Sequence, residues 1–217
     1  MLKINTPEFI SAKFFMKDES PDFDSLPVIM PSQVHSSEII IIDDDNYLFP
    51  ERPKADGILL KTRKISAALR FADCAPVMIW PENNNNGSWV MILHSGYKGT
   101  VLNISGRGVS LAGSNNLCAW VGPCIGFEDY MRDLNNDEWT QTGLKTFHEG
   151  SYKVSGDKVY FDLADEIKSQ LLDAGLSSEN ITLSGIDTYM NEECYSYRRG
   201  DKTGRMTLHV YIKEESI

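Results

Sequence analysis

Apolar residues in this chain fall into short runs separated by polar breaks. SEIIIID (Ser37–Asp43), DGILLK (Asp56–Lys61), ISAALRF (Ile65–Phe71), APVMIW (Ala75–Trp80), SWVMILH (Ser88–His94), LCAWVG (Leu117–Gly122) and ITLSGID (Ile181–Asp187) each have strand length and β-branched or aromatic content. In MTLHVYIK (Met206–Lys213), Leu208, Val210 and Ile212 alternate with Thr207, His209 and Tyr211. A strand of period two therefore turns His209 away from the core face, towards the surface. The tract NNNNG (Asn83–Gly87) lies between two apolar runs and predicts a hairpin-like connection.

Helical spacing is clearest in DLADEIKSQLLDAG (Asp162–Gly175). Leu163, Ile167 and Leu171 recur every fourth residue. Asp162 suits the N-cap, Asp165 the first turn and Gly175 the C-terminal end. A second helix is predicted over TVLNISGRGVSLAG (Thr100–Gly113), weakened by Gly106 and Gly108. Strands outnumber helices, and several adjoin with no helix between them. The expected architecture is α+β: a single domain, residues 1–217, with mixed β-sheets flanked by helices.

Composition narrows the function. The chain has 217 residues, 41% of them hydrophobic, enough for a sizeable core. Its net charge of −10 argues against nucleic acid as a partner. No apolar run approaches the ~20 residues that span a bilayer, and the N-terminus lacks a signal-peptide pattern. A cytoplasmic protein without a membrane partner is expected. The acidic run Asp43–Asp45 reads as a solvated turn, while Lys and Arg cluster in RPKADGILLKTRK and YRRGDKTGR. Four cysteines, none at CxxC spacing, make a disulfide framework improbable.

Three side chains with metal-binding chemistry stand where strands meet loops: His35 before one strand, Cys74 between two, and His94 at the end of a third. Two imidazoles and a thiolate form an acceptable zinc set with one coordination position left open. The spacings, 39 and then 20 residues, match no local zinc-finger pattern, so from spacing alone two satisfied histidines and a buried cysteine are the stronger reading.

The motifs QVH (Gln33–His35), ADGILLKT (Ala55–Thr62) with FADCAPV (Phe71–Val77), HSGYKGT (His94–Thr100), GPCIG (Gly122–Gly126) and SYRRGDKTGRM (Ser196–Met206) occur in that order. Together they resemble the YfiH-type family, called polyphenol oxidases or laccase-domain proteins in one usage and purine nucleoside phosphorylases in another. The resemblance implies a YfiH-like fold with His35, Cys74 and His94 as ligands to zinc. It also implies phosphorolysis of adenosine, inosine, guanosine or methylthioadenosine, with adenosine deamination as a companion activity. Phosphate would be met by Lys98, Arg198, Arg199 and Arg205. Asp73 would serve as general acid/base or as an orienting residue, and Phe71, Tyr97 and Tyr197 could stack a purine. Cys124 in GPCIG reads as structural.

This chain departs from the family pattern at Lys98, where an arginine is usual, at Tyr97, where a tryptophan is usual, and at FEDYMRD (Phe127–Asp133). The family's N-terminal Gly-rich segment is largely missing. Three alternatives stand beside the phosphorylase. One is a copper-dependent polyphenol oxidase, though only four histidines are present. Another is a cysteine hydrolase with Cys74 as nucleophile and His94 as base. The last is a metal-stabilised binding protein without catalysis. Whether the chain is a monomer or a homodimer is not legible.

Overall fold

Both faces of the central apolar runs are covered, which is why they read as nearly continuous hydrophobic stretches. A computed structural model describes residues 1–217 except 24–25, 45–50, 86, 114–115, 136–137 and 215–217. Asp45 of the predicted acidic turn and Asn86 of the predicted hairpin tract lie outside the described residues. In chain order the strands and helices are β1 (Leu2–Lys3), β2 (Ile10–Phe15), β3 (Val28–Ile29), β4 (Ile39–Ile42), β5 (Gly57–Leu60), β6 (Ser66–Phe71), β7 (Ala75–Pro81), β8 (Val90–Ser95), α1 (Tyr97–Val101), α2 (Ile104–Ala112), β9 (Leu117–Val121), β10 (Met131–Asp133), α3 (Glu138–Thr146), β11 (Tyr152–Ser155), β12 (Lys158–Phe161), α4 (Leu163–Asp173), β13 (Ile181–Leu183) and β14 (Met206–Ile212).

The fold is α+β, with three sheets and flanking helices. A six-stranded mixed sheet runs β13-β9-β7-β8-β5-β4, a five-stranded sheet runs β1-β2-β14-β6-β3, and a small sheet runs β10-β12-β11. Alternation in β8 shows how the layers stack. Val90 and Ile92 join Leu69, Phe71, Leu208 and Phe14 in a core between the two large sheets. Met91 and Leu93 face the other way, onto Ile104 and Val109 of α2 and Leu163, Ile167 and Leu171 of α4. Gly108 permits that second contact: a Cβ there would stand 2.7 Å from the Met91 sulfur, so the helix lies closer to the sheet than alanine would allow.

Besides the short connection from β5 to β6, three chain crossings join the two large sheets. The segment from β3 to β4, the turn from β6 to β7, and the segment from β13 to β14 each leave one sheet and enter the other. They carry His35, Cys74 and the SYRRGDKTGR stretch respectively.

Several expectations are corrected. The predicted helix over Thr100–Gly113 is two helices: Asn103 adopts the left-handed conformation (φ 55°, ψ 48°) and caps α2 by accepting the Gly106 N–H. The Gly-rich stretch after His94 is not a loop, because α1 begins at Tyr97 and places Lys98 in its first turn. His209 does not reach the surface. It is fully buried because β14 is interior to its sheet, between β2 and β6, and Phe23 packs over the ring at 5.1 Å. Strand β2 and the small sheet β10-β12-β11 are additions to the predicted elements; in the latter, polar residues mask any apolar run. Asp162 does cap α4, accepting the Asp165 N–H at 3.0 Å, and Gly175 follows the helix at φ +101°. Among the described residues no helix is long and apolar enough to cross a membrane.

The helical layer is tied together by a buried acid. Glu166 on α4 is fully buried and accepts the His148 N–H at 2.7 Å, the His148 ring at 3.1 Å and the Gln170 amide at 3.0 Å. Gln170 also donates to the Thr100 carbonyl at the end of α1, and the other His148 nitrogen meets Asp173 at 2.9 Å. Burial alone would lower the His148 pKa, but the Glu166 and Asp173 carboxylates outweigh it and raise it above 6.5. The charge pairing is therefore fully present below about pH 6.5 and is lost as pH rises through the raised folded value. His148→Ala should cost about 1 kcal/mol at pH 5.5, a figure reduced for solvent screening of the half-exposed ring, and clearly less at pH 9. Denaturant titrations of both proteins at the two pH values check this.

Candidate metal centre and substrate pocket

Two crossings between the sheets and the end of one strand deliver three donors to one place. His35 lies in the segment between β3 and β4, Cys74 immediately precedes β7, and His94 is the penultimate residue of β8. Their ligand atoms all lie within 4.8 Å of one another, and the two imidazole rings meet edge to face with centroids 4.9 Å apart. Gly96 makes the approach possible. A Cβ at that position would sit 2.6 Å from the Cys74 sulfur and 3.2 Å from the His35 ring. Two imidazoles and one thiolate, cradled over a glycine, fit a zinc-type ion with a coordination position to spare.

Asp56, at the start of β5, organises the donors. Its fully buried carboxylate accepts the His94 Nδ1–H at 2.8 Å and the backbone N–H groups of Val34, His35 and Ser36 at 3.1, 3.0 and 2.6 Å. The Ser36 hydroxyl adds a fifth donor at 2.8 Å. An ionised carboxylate offers about four lone-pair sites, so this one is saturated, which offsets the cost of burying its charge. The three consecutive N–H groups also hold His35 at φ +58°, a left-handed conformation that ordinarily costs of order 1–3 kcal/mol. Because a carboxylate only accepts, the His94 proton sits on Nδ1 and leaves Nε2 for a ligand. This is the carboxylate–histidine arrangement that orients metal-binding imidazoles.

The electrostatics agree with the geometry. Burial pushes the Cys74 thiol up, but His94 and His35 outweigh it and bring its pKa down to about 6. Burial disfavours a charged His94, yet the Cys74 thiolate and Asp56 raise it to about 9. Burial of Asp56 is likewise overcome by its donors, His94 and Ser36 foremost, which hold it at about 2. Without metal, a proton shared near Cys74 and His94 satisfies this charge balance; a cation would replace that proton.

The donors open onto a cavity of about 890 Å3. Among the residues singled out in the sequence, Asp73, Lys98, Arg198 and Arg205 line it, and Arg199 does not. The Arg199 guanidinium is instead spent on the carbonyls of Thr188, Tyr189, Asn191 and Cys194 and on the Asp201 carboxylate, folding the loop it belongs to. Asp73, at φ +81°, is buried; its carboxylate accepts the Thr188 hydroxyl at 2.8 Å and the Arg198 N–H at 2.7 Å. It therefore staples the third crossing to the turn that carries Cys74. Lys98 rests over the Trp139 ring at 4.9 Å, and Arg198 bonds the Met131 carbonyl.

Of the aromatic residues, Phe71 belongs to the core, 5.6 Å from the His94 ring. Tyr97 lines the cavity while donating to the Trp139 carbonyl, and Tyr197, 52% exposed, stands at its rim. Cys124 is buried, and burial pushes its thiol far up; the GPCIG turn is bound to residues 186–188. Sequence reasoning missed Asp56, Gln33, Arg52, Arg70, Tyr130 and Arg132, which also shape or line the site. Asp56 and Arg52 fall within stretches already noted, but only the fold aims them here. Arg70 in ISAALRF and Arg132 in FEDYMRD also lie in stretches already noted, but nothing local marks either arginine as a site residue. Burial raises the Tyr130 phenol to about 12, so it stays protonated.

Comparisons with known proteins agree on the lineage. A family model described as multi-copper polyphenol oxidoreductase laccase matches residues 15–213. A purine nucleoside phosphorylase of Rickettsia conorii is 27% identical over 210 residues, covering 90% of this chain and 79% of the relative. The purine nucleoside phosphorylase YfiH of Escherichia coli is 27% identical over 184 residues, covering 83% and 72%. The crystal structure of hypothetical protein YfiH from Bacillus licheniformis has a TM-score of 0.75 at 24% identity, covering 94% of this chain and 93% of that one. YlmD from Geobacillus stearothermophilus gives 0.74 at 25% identity, over 86% and 74%.

Asp56→Asn tests the organising carboxylate. The amide would offer one acceptor oxygen and turn an NH2 group against incoming donors. Zinc affinity measured by chelator competition should fall roughly 10–100-fold, and amide exchange of Val34, His35 and Ser36 should accelerate. Ser36→Ala, which removes one donor of five, should do much less.

Proposed function

Because the chain belongs to the family described as multi-copper polyphenol oxidoreductase laccase, whose relatives here bear the name purine nucleoside phosphorylase, we propose that it cleaves purine nucleosides by phosphorolysis at a zinc centre. The observation that carries this reading is the pairing of one His35–Cys74–His94 donor set with a cavity lined by basic side chains. In this reading His35, Cys74 and His94 hold zinc, which when bound supplies Lewis acidity at an open coordination position. Copper oxidase chemistry is less well supplied. A blue-copper site adds an axial methionine or similar ligand and multicopper centres use many histidines, whereas among the described residues no methionine lines the cavity, and His148 and His209 lie elsewhere in the fold.

The protein's own groups then divide the work. Lys98, Arg198 and Arg205 bind and orient phosphate, with Arg132 beside them on the cavity wall. A phosphate oxygen forms the new bond to the pentose anomeric carbon as the bond to the purine nitrogen breaks, and the purine leaves with the electron pair and takes up a proton. The Tyr130 phenol, kept protonated by burial, is a proton donor at the cavity wall. Asp73 acts as a positioning residue through Arg198, since both its oxygens already accept hydrogen bonds. Adenosine deamination fits the same centre, with water rather than phosphate as nucleophile.

One observation favours a second reading. Cys74, His94 and Asp56 form a chain in which the thiol is brought down to about 6 and the imidazole is oriented by a carboxylate, the requirements of a cysteine nucleophile. Metal separates the two. Purified protein should carry about one zinc per chain, Cys74→Ala should lose it, and chelation should stop nucleoside turnover. Full activity of the chelated protein, abolished by thiol alkylation, would favour the nucleophile.

Lys98→Ala should raise the phosphate concentration needed for half-maximal phosphorolysis about 10–100-fold, the range expected on losing a charge-assisted contact. Deamination should change less, and Lys98→Arg should recover most of the loss. Steady-state rates of both reactions against phosphate concentration check this.

A further inference from the structure

The cavity holds more positive charge than one phosphate engages. Arg52, Arg70, Lys98, Arg198 and Arg205 line it, and among the described residues no carboxylate lies within 4.0 Å of the charged end of any of the five. The acidic residue in the lining, Asp73, has both oxygens occupied. In a chain of net charge −10, cations left without acidic partners around one cavity call for a counter-charge from a ligand.

These cations belong to two groups carried by different parts of the fold. Lys98 and Arg198 are steadied by Trp139, Tyr130 and the Met131 carbonyl. Arg52, between β4 and β5, and Arg70, on β6, are tied by hydrogen bonds to the segment that leads to His35. Arg52 donates to the carbonyls of Met30 and Pro31, and Gln33 clasps the Arg70 backbone with two hydrogen bonds of 2.8 and 2.9 Å. No guanidinium bond of Arg70 is made among the described residues, so its five N–H donors remain available. A cavity of about 890 Å3 is at the upper end of what small-molecule sites need and has room for a nucleotide beside a free phosphate.

We infer that Arg52 and Arg70 form a second anion subsite, and that the substrate filling it is a purine nucleoside 5′-monophosphate rather than a neutral nucleoside. This rests on the phosphorolytic reading, in which the Lys98 group holds the attacking phosphate. The reaction balances in the same way: the phosphate oxygen bonds to the anomeric carbon, and the purine leaves with the electron pair and a proton. The 5′-phosphate is carried through unchanged, giving a pentose 1,5-bisphosphate.

The test uses zinc-loaded full-length protein with adenosine 5′-monophosphate and adenosine, each with and without inorganic phosphate. The wild type should prefer the nucleotide in kcat/KM by at least about tenfold, one charge-assisted contact's worth. In the Arg52→Ala/Arg70→Ala variant that preference should fall about 10–100-fold, and Arg52→Lys/Arg70→Lys should keep part of it. Calorimetric binding of the nucleotide, read independently of turnover, should weaken in parallel. Equal kcat/KM for the two substrates in the wild type, equal losses for both in the variant, or occupancy of the Arg52–Arg70 group by inorganic phosphate as tightly as by the nucleotide would each overturn the subsite. Should neither substrate turn over while nucleotide binding still depends on Arg52 and Arg70, the phosphorolytic reading fails and the subsite stands.

Discussion

A single buried carboxylate holds the site together. Asp56 accepts three consecutive backbone N–H groups, a hydroxyl and the His94 ring, and so fixes both histidines at once. The interaction is strong because it is charge-assisted and excluded from water, and costly to disturb for the same reason. It also joins two otherwise separate parts of the fold, the segment between β3 and β4 and the end of β8. The left-handed backbone of His35 persists only because these bonds overdetermine it.

The sandwich explains why the donors converge. Of the connections that pass between the large sheets, those from β3 to β4, from β6 to β7 and from β13 to β14 meet at the site and bring His35, Cys74 and Arg198; their polar backbone cannot be buried within either apolar core. The cores supply rigidity: the strand that follows Cys74 and the strand that carries His94 are buried on both faces, so those side chains sit on backbone that cannot yield.

Charge is distributed to suit. The chain as a whole is acidic, while the cavity gathers basic side chains, of which Lys98, Arg198 and Arg52 are held by aromatic rings or backbone carbonyls. Among the described residues Arg52, Arg70, Lys98, Arg198 and Arg205 meet no carboxylate, so they keep their field for a ligand. A metal-type donor set and the cations lining the same cavity suit the anionic substrate proposed above.

Much of this architecture is legible in the order of residues alone. Periodicity locates β4 to β9, α4 and β14, since burial on two faces or one leaves a direct trace in the order of apolar residues. The ordered motifs single out His35, Cys74 and His94, because short motifs at strand ends are local features. The roles of Asp56 and Arg70, the diversion of Arg199 into its own loop and the burial of His209 are decided by tertiary structure alone. Each depends on what lies across a sheet or a crossing from the residue, and the chain reports only neighbours in order. Asp56 looks like any acid before a strand until residues 34–36 fold over it. His209 looks exposed until Phe23 covers the far face of β14. A pattern along one strand records which side chains share a face, and only the packed layers decide what that face meets.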